Sequence, residues 1–453
     1  MSFTAEQKEA RGALLLGRSW FEKGYDERAL PHMQKAVALW PENPQAYRYL
    51  AYIHVRAEAY ADASALMRQA YARKPDDALL QWEVEQLRAL AQEQPDSGLA
   101  STADGRLHFR QRYQRTHHRS GWRYAVEALY PLHNEGGVRF EDFLEEPFAW
   151  QHRHSGVRSG AEILQAILQQ DHNAPLNSQE TGVLPIRGPW AGVLHNPPHM
   201  PAGFHPMETP QVIVDKSVWR ESLDGCIGLF TLSQYSAQWL RAATGKPVSA
   251  LIHPTEIPQV LFDFDAFLAN ENKQIVQVGW WLRRLGAIYD LPIAAGNALG
   301  FSKLRLVPEF FPNADQYLKN MLAMERREAA VNFASAQHNT SECQHLPNAE
   351  YDQLLSRNIV FIELYDASAN NTVIECIARG TPLLVNPLPA VREYLGDDYP
   401  LYYDNLEQAA SKALDLHCLQ AAHQHLMSNP LRRRLSADSF RQQFIDSEVY
   451  ALL

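Results

Sequence analysis

The apolar and small residues of the first 95 positions repeat with a period of 34. The matching positions are Ala29 and Ala63, Met33 and Met67, Ala36 and Ala70, Pro41 and Pro75, and Leu16-Gly17 with Leu50-Ala51. Small residues let two helices approach closely, and a proline ends a helix. The pattern therefore predicts stacked helix pairs over residues 1–95, with a third, partial or capping helix at 78–93.

The pattern changes after the polar linker at 92–98, where short apolar segments begin to alternate with helical ones. The predicted strands lie within 190–196, 224–233, 246–254, 273–280, 304–308, 358–364 and 381–386. A helix at 234–245 ends at Gly245, because glycine adopts the left-handed C-cap conformation without strain. Alternation of this kind predicts an α/β fold class, with two doubly wound parallel sheets that carry helices on both faces.

The predicted boundaries divide the chain into four parts. These are the helical repeats at 1–95, the first sheet domain at 96–258, the second at 259–430, and a C-terminal helix at 431–453. The two sheet domains are separated near 255–272, where no strand pattern is visible. In folds of this class ligands bind at the carboxyl ends of the strands, so we expect functional residues directly after strands.

Composition and charge argue against several kinds of partner and site. The chain has 453 residues, a formal net charge of −10 and four cysteines without a CxxC pair. We therefore expect no nucleic-acid binding, no zinc site and no disulfide framework. The apolar runs are too short to span a bilayer and the N-terminus does not resemble a secretory signal, so we expect a cytoplasmic protein. One basic stretch, 106–123, contains six arginines. It is either a solvated surface or a patch for an anionic ligand or an acidic partner.

The first candidate site follows the apolar segment 358–364. A polar loop runs from Asp366 to Asn371, and a short helix then starts near Thr372, with Thr372 or Asn371 as its N-cap, and ends at Gly380. Backbone N–H groups at the start of a helix suit a phosphate. Glu375, in the first turn, is placed to accept hydrogen bonds from both hydroxyls of a ribose. The alternative is an ordinary glutamate in water, favoured by the helix dipole.

The second candidate site follows the segment 273–280. Arg283 and Arg284 come after this strand and before a helix. Two guanidinium groups at a strand end would neutralise a diphosphate and stabilise it as a leaving group. The alternative is a pair of surface arginines.

The third candidate site is His195, which closes the segment 190–196 and precedes two prolines. The spacing of His195, His199 and His205 suggests a metal site, but the prolines prevent the helix that would align the first two. No carboxylate or thiolate completes a ligand set, so we predict no metal there. We expect His195 to act as an acid–base group or to contact a sugar hydroxyl. A histidine hydrogen-bonded to the loop backbone is the alternative.

Three elements resemble GT-B glycosyltransferases, particularly glycosyltransferase family 4, and they appear in the expected order over roughly residues 180–430. The run TVIECIARGTPLLVNPLPAVREYLG at 372–396 resembles the donor-binding segment of that family. QVGWWLRRLG at 277–286 looks like its strand-glycine-basic element. CIGLFTLSQYSAQWL at 226–240, with KPVSALIHPTEIP at 246–258, resembles the end of its first domain.

The resemblance implies a GT-B-like pair of Rossmann-type domains, acceptor domain first and donor domain second, with the C-terminal helix packing back across them. It implies a hexosyltransferase-like enzyme that uses a nucleotide-sugar, a UDP- or GDP-sugar, as substrate. We expect no metal or other cofactor, because no DxD-type acidic pair follows a strand. The resemblance implies that Glu375 binds the ribose and that Arg283 and Arg284 bind the diphosphate. It also implies that Asn370, Asn371 and Thr372 cover the phosphates and the sugar, and that His195 lies near the transferred sugar. Position 367 is alanine where the family usually has a glutamate, and we expect the adjacent Asp366 to take its place in binding the nucleotide-sugar.

The 34-residue period resembles the tetratricopeptide (TPR) repeat, which usually presents a concave surface to a peptide or protein. Such arrays joined to GT-B domains occur in enzymes that glycosylate proteins, such as protein O-GlcNAc transferase and some flagellin-modifying enzymes. The resemblance implies a protein acceptor or partner. A glycan or lipid-linked acceptor is the alternative, as is an array that serves only dimerisation or packing. The alternative function is an inactive GT-B-like scaffold, which Ala367 permits.

Overall fold

The computed structural model describes residues 3–109 apart from 24, 58 and 94–98, then 120–145, 148, 186, 188–201, 209–307, 321–323, 325, 340–343 and 346–453. This part of the chain divides into two compact units. The described residues up to 99, together with 148 and 186, lie in the first unit, and those at 100–109, 120–145 and from 188 onward lie in the second. The second unit holds both sheets, so the boundary between 258 and 259 stays a prediction.

Five helices form the first unit's array: α1 Ala5–Glu22, α2 Asp26–Leu39, α3 Pro44–Arg56, α4 Tyr60–Arg73 and α5 Ala78–Glu93. Helices α2 and α4 begin 34 positions apart, as do α3 and α5. The repeated residues are buried where the helices pack, namely Ala29, Met33, Ala36, Ala63, Met67 and Ala70. The predicted helix at 78–93 is confirmed as α5. A periodic array of helix pairs is therefore the architecture of this unit.

A buried ion pair joins α3 to α5 inside the array. Arg48 Nε donates to Glu83 Oε2 over 2.9 Å, and the Tyr52 hydroxyl donates to Glu83 Oε1 over 2.9 Å. The two charged side chains are 6 % and 0 % exposed. A buried carboxylate needs such partners, so this contact fixes how α5 sits on α3.

The second unit begins with a five-stranded parallel sheet. Its strands are β1 Leu107–His108, β2 Val138–Glu141, β3 Trp190–Val193, β4 Cys226–Thr231 and β5 Val248–Ala250, adjacent in chain order. Its described helices are α6 Trp122–Leu129, α7 Pro210–Asp215, α8 Ser217–Leu223 and α9 Gln234–Thr244. The three strands predicted in this half are confirmed, and α9 ends at Gly245 with a φ of 68° as predicted.

The second sheet is also parallel and has the order β10-β9-β6-β7-β8. Its strands are β6 Gln274–Gln277, β7 Ser302–Leu306, β8 Thr340–Cys343, β9 Ile359–Ile362 and β10 Leu383–Val385. Described helices around it are α10 Phe264–Ala269, α11 Ala287–Asp290, α12 Asn348–Ser356, α13 Asn371–Arg379 and α14 Pro389–Leu395. The four strands predicted here are confirmed. With the helical array, the two parallel sheets confirm the predicted fold class.

The chain ends with four helices, of which the first two pack with the core of the second sheet and the last two with the first sheet. Helices α15 Leu406–Ala413 and α16 Leu416–Ser428 are followed by a 3₁₀ turn at Pro430–Arg434, then α17 Ala437–Ile445 and α18 Glu448–Leu452. The single helix predicted at 431–453 is therefore wrong, since the helix ends after Ile445 and Ser447 caps a new one. Phe444 stacks on Phe230 of β4 with ring centroids 4.2 Å apart, which anchors the segment.

Candidate functional site

The second sheet has its topological switch point between β6 and β9. From β6 the chain moves outward through β7 and β8, then returns to the other side of β6 as β9 and β10. The loops that leave β6 and β9 consequently flank the crevice where doubly wound folds bind ligands. Arg283 follows β6 and Asn370 follows β9, so the topology brings together two of the predicted site segments.

Arg283 makes the contact between these loops. Its Nη2 donates to Thr372 Oγ1 over 2.8 Å and to Asn370 Oδ1 over 3.2 Å, and its Nη1 donates to the Trp281 carbonyl over 2.8 Å. The residue is 6 % exposed, and burial lowers the pKa of its guanidinium to about 10, so it is a cation at neutral pH. Among the described residues, its Nε has no acceptor and no carboxylate forms an ion pair with it. A buried cation whose hydrogen-bond partners are all neutral, and on which the Glu375 carboxylate acts without forming an ion pair, is suited to bind an anion.

The backbone before Arg283 is shaped to fold its side chain inward. Gly279 has a φ of 77°, and a Cβ added there would lie 2.7 Å from the Arg283 Cζ. Leu282 has a φ of 55°, an uncommon conformation for a leucine that costs about 1–2 kcal/mol. Leu282 is buried in an apolar cluster with Met200, Leu285, Val307 and Met321, which holds it in place. Backbone strain at a strand end is typical of functional sites.

Helix α13 begins one residue earlier than predicted, with Asn370 as its N-cap. Asn370 Oδ1 accepts from the backbone N–H groups of Thr372 and Val373, over 3.1 and 3.3 Å. The predicted N-caps, Thr372 and Asn371, are wrong, because both lie inside the helix. Two of the first-turn N–H groups expected to bind phosphate are thus bonded to Asn370. The helix dipole and the Arg283 charge remain to favour an anion at this end.

Arg284 points to a different partner. Its Nη1 donates to Glu363 Oε1 over 2.6 Å, and its backbone N–H donates to the Glu363 carbonyl over 2.8 Å. Its side chain is 34 % exposed. The adjacent arginines are therefore separated by the structure, with Arg283 on the start of α13 and Arg284 on a carboxylate at the end of β9. A role for Arg284 at the diphosphate stays a prediction.

Glu375 is buried and has protein partners. Its carboxylate accepts from the Tyr351 hydroxyl over 2.7 Å, from Arg379 Nη1 over 3.3 Å and from the Ser120 hydroxyl. The carboxylate is therefore compensated by protein side chains, and the alternative of a glutamate exposed to water is wrong, because the residue is 1 % exposed. Glu375 also lies in the second turn of α13 rather than the first. Its contact with a ribose stays a prediction.

The partners of Glu375 form a network that sequence reasoning missed. Arg379 is 0 % exposed and donates from Nη2 to Asp352 over 2.7 Å. Burial, and then the nearby Glu375 carboxylate, raise the pKa of Tyr351 well above its ordinary value, so its hydroxyl remains a donor. The spacing of Glu375 and Arg379, four apart on one helix, was the available signal. Nothing in the sequence signals Ser120 as the third partner.

Asp366 joins the second sheet to a loop of the first. Its Oδ2 accepts from the His199 backbone N–H over 2.8 Å, and the Tyr235 hydroxyl lies 3.5 Å from the same oxygen. The residue is buried, and burial raises its pKa despite these donors. Ala367, next to it, is also buried. Asp366 therefore holds the two sheets' loops together, and its predicted contact with the donor stays untested.

His195 lies at the carboxyl end of β3 with Glu145 as its partner. The Glu145 Oε1 accepts from the His195 backbone N–H over 2.7 Å, and Oε2 lies 3.3 Å from His195 Nδ1. Phe143 stacks on the imidazole at 4.2 Å, and Trp122 meets it edge-on at 4.0 Å between centroids. Trp122 is two positions from Ser120, the partner of Glu375. These contacts bring the histidine of the first sheet and helix α13 of the second into one region of this unit.

Two further predictions concern metals and membranes. Among the described residues, no group of three or more His, Cys, Asp or Glu side chains is arranged to hold a metal ion. His205, the third of the spaced histidines, lies outside the described residues, as does most of the basic stretch at 106–123. In the same described part of the chain, no helix is long and apolar enough to cross a membrane.

No family model matches the chain, and no curated protein matches it. Among solved structures, HepE from Anabaena in complex with UDP and glucose is 11 % identical, with a TM-score of 0.44 over 58 % of this chain and 72 % of that one. The trehalose-6-phosphate synthase OtsA is 13 % identical, with a TM-score of 0.45 over 73 % and 76 %. A UDP-forming α,α-trehalose-phosphate synthase from Burkholderia xenovorans is 16 % identical, with a TM-score of 0.42 over 71 % and 76 %. Similarity this distant does not assign a function.

Proposed function

We propose that this protein is a glycosyltransferase that moves a sugar from a nucleotide-sugar to an acceptor. One observation carries the proposal: the buried Arg283 cation lies at the switch point of the second sheet, against the start of α13, and forms no ion pair with a carboxylate among the described residues. The chemistry that fits is binding of a diphosphate. Residues 372–396 and 277–286 resemble donor-binding elements of family 4, which supports a ligand that carries a nucleoside and a sugar on the diphosphate.

Arg283 would act on the leaving group. When the bond between the sugar and the diphosphate breaks, negative charge develops on the phosphate oxygen. A guanidinium already held in place and shielded from water stabilises that charge without reorganising. Asn370 and Thr372 hold the guanidinium, so they would contribute by fixing its position as well as by lining the site.

Glu375 would contact the ribose next to this group. In the structure the Ser120 hydroxyl donates to the Glu375 carboxylate, whereas Tyr351 and Arg379 hold it from within the second half of the unit. Ribose hydroxyls would replace the Ser120 hydroxyl as donors. We propose that catalysis needs no metal, since Arg283 supplies the positive charge at the diphosphate.

The acceptor is proposed to be a protein, recruited by the helical array of the first unit. The support is the 34-residue helix period, which resembles arrays that bind peptides. A second candidate function is a scaffold without catalysis. Two observations favour it. Glu375 is paired by protein side chains without any ligand, and position 367 is alanine where the family usually has a glutamate.

The test is a calorimetric titration of the full chain with UDP, GDP, ADP, CMP, dTDP and inorganic pyrophosphate. We expect one nucleotide to bind, and Arg283→Gln to weaken it at least tenfold, as the loss of about 1.5–3 kcal/mol of charge-assisted hydrogen bonding implies. Arg220→Gln is the matched control, because its side chain is 65 % exposed and pairs only with Asp215 among the described residues. Release of that nucleotide from its sugar conjugates would then identify the donor. A wild-type protein that binds none of these compounds would support the scaffold instead.

A further inference from the structure

We propose that Glu393 is a positioning residue, which holds the start of helix α9 and thereby sets where the strand ends of the first sheet lie relative to Arg283. The inference rests on the proposed function, because those strand ends would bring the acceptor to the sugar of the bound donor. Glu393 lies on helix α14, which packs against the second sheet. Its contact with α9 therefore crosses from one sheet to the other within the second unit.

Helix α9 does not satisfy its own first N–H groups. The first N–H groups of any helix have no acceptor within the helix. In α9 the Ser233 hydroxyl oxygen accepts from the Ser236 N–H over 3.2 Å. The N–H groups of Gln234 and Tyr235 donate instead to Oε2 and Oε1 of Glu393, each over 2.6 Å. A carboxylate at the positive end of a helix forms charge-assisted hydrogen bonds of this kind, so the second sheet completes a helix of the first.

The next residue of α14, Tyr394, contacts two further strand ends of the first sheet. Its hydroxyl donates to the Leu232 carbonyl over 2.9 Å and accepts from the His253 backbone N–H over 3.1 Å. Leu232 directly follows β4, and His253 lies shortly after β5. Helix α14 is itself fixed to the second sheet, because three of its apolar side chains are buried in that core, namely Ala390, Val391 and Leu395. The helix therefore connects the ends of β4 and β5 to the core of the second sheet.

A third contact holds the loop after β3. Asp366 of the second sheet accepts from the His199 backbone N–H over 2.8 Å. Tyr235 links this contact to the first one, because its N–H donates to Glu393 and its hydroxyl lies 3.5 Å from Asp366 Oδ2. Strands β3, β4 and β5 are neighbours in the sheet, so the three contacts together fix its carboxyl edge.

These contacts separate donor binding from transfer. Arg283, Asn370 and Thr372 all belong to the second sheet, so a nucleotide can bind there wherever the first sheet lies. Transfer also needs the first sheet at the correct distance, and a misplacement of about 1 Å can cost about a hundredfold in rate. Loss of Glu393 should therefore lower kcat and leave the affinity for the nucleotide unchanged.

The experiment is hydrogen exchange of the full chain, and its readout is the His199 amide, which is bonded to Asp366 and not to Glu393. The segment 196–201 contains three prolines, which have no N–H, so a peptide that spans it reports mainly on His199 and Met200. In Glu393→Ala we expect this amide to exchange about tenfold faster or more, because the loss of two charge-assisted hydrogen bonds loosens the whole edge.

Two further variants make the comparison specific. Glu393→Gln keeps one oxygen that can accept from α9, so its His199 exchange should lie between those of the wild type and Glu393→Ala. Asp397→Ala is the matched control, because that exposed carboxylate lies just past the end of α14 and pairs with Arg392 of the same helix. Exchange at His199 should be the same in this control as in the wild type.

A second readout connects the exchange result to the reaction. In Glu393→Ala, kcat for nucleotide release from the sugar donor should fall about tenfold or more, while nucleotide affinity measured by calorimetry stays within about twofold. Glu393→Gln should recover part of this loss. Equal losses in kcat and in nucleotide affinity would overturn the inference, because they would place Glu393 in the donor site itself.

The exchange data also distinguish a local role of Glu393 from a positioning one. Faster exchange at Gln234 and Tyr235 alone, with His199 unchanged in the folded Glu393→Ala protein, would overturn the inference, since Glu393 would then only cap α9. Absence of nucleotide binding in the wild type would refute the proposed function. The exchange at His199 would still decide whether Glu393 holds the two sheets together.

Discussion

The Nη2 atom of Arg283 lies 2.8 Å from Thr372 Oγ1, and this hydrogen bond joins the loop after β6 to the first turn of α13. The two residues are 89 positions apart in the chain. Each loop alone is an ordinary strand-to-helix connection. Together they place a buried cation at the positive end of a helix, and that combination attracts a diphosphate.

Gly279 makes space for the Arg283 guanidinium, so Gly279→Ala should displace it. The added Cβ would lie 2.7 Å from Cζ and 2.9 Å from Nη2. We expect affinity for the bound nucleotide to fall about tenfold through weaker charge-assisted bonds. Gly300→Ala is the matched control, since Gly300 has a similar φ of 71° and nothing within 4 Å of an added Cβ. Both variants should lose about 1 kcal/mol of stability from backbone strain. Equal affinities in the two variants, measured by calorimetry, would contradict the steric argument.

Glu375→Gln should separate a ribose contact from a structural role. A carboxylate that binds ribose hydroxyls contributes to nucleoside diphosphate affinity but not to pyrophosphate affinity. We therefore expect the bound nucleotide to weaken about tenfold while inorganic pyrophosphate binds as in the wild type. The comparison uses calorimetry with both ligands. Unchanged affinity for both would mean that Glu375 serves its protein partners alone.

Glu375→Ala should destabilise the second unit as well. The substitution removes one of the two carboxylates that pair with the buried Arg379, and it leaves the Tyr351 hydroxyl without its acceptor. A buried charge that loses a partner costs about 3–5 kcal/mol. Urea unfolding should show this loss, and Glu375→Gln should retain most of the stability because the amide oxygen still accepts. Equal stability of the alanine and glutamine variants would argue against the network.

Asp366 should make the unfolding free energy depend on pH in a defined direction. Burial raises its pKa in the folded protein above the ordinary value of 3.8, so the folded state holds this proton more tightly than the unfolded state. The contribution of Asp366 to the free energy of unfolding therefore falls as the pH rises from about 3.8 through the pKa that Asp366 has in the folded protein. Asp366→Asn removes the effect, so the stability of the variant relative to the wild type should increase from pH 4 to pH 7. Asp398→Asn, at an exposed position, should show no such trend. The assignment would be refuted if the difference in unfolding free energy between Asp366→Asn and the wild type, measured in urea, were the same at pH 4 and pH 7.

The buried ion pair of the helical array offers a test in the first unit. Glu83→Ala leaves Arg48 buried without its carboxylate and should cost about 3–5 kcal/mol. Glu85 lies two positions further along α5 and is exposed, so Glu85→Ala should change the free energy of unfolding by less than about 0.5 kcal/mol. Hydrogen exchange of the α3 and α5 amides reports on this unit directly. A double variant, Arg48→Met with Glu83→Leu, should recover much of the loss, which would show that the cost comes from the uncompensated charge.

The sequence predicted the elements that carry a local periodic signal. The 34-residue period placed α5, and seven apolar segments placed seven of the ten described strands. Strands β1, β2 and β8 were missed because they are short or polar. Leu107–His108 has two residues, and Thr340–Cys343 contains one apolar side chain at most. Their pairing depends on neighbouring strands rather than on their own composition.

The sequence by itself determined that a cation, a polar loop and a helix start follow strands of one sheet, because strand ends of a parallel sheet share an edge. Only the tertiary structure decided which of two adjacent arginines turns inward, since Gly279 and Leu282 set the backbone direction. It also decided the partners of Glu375, one of which lies 255 positions away along the chain. Periodicity reports which face of an element is buried, but hydrogen-bond partners depend on distances between elements that no local pattern encodes. For that reason the roles of Ser120, Tyr351 and Glu145 became visible only in the folded chain, and that of Ser120 only where the two sheets meet.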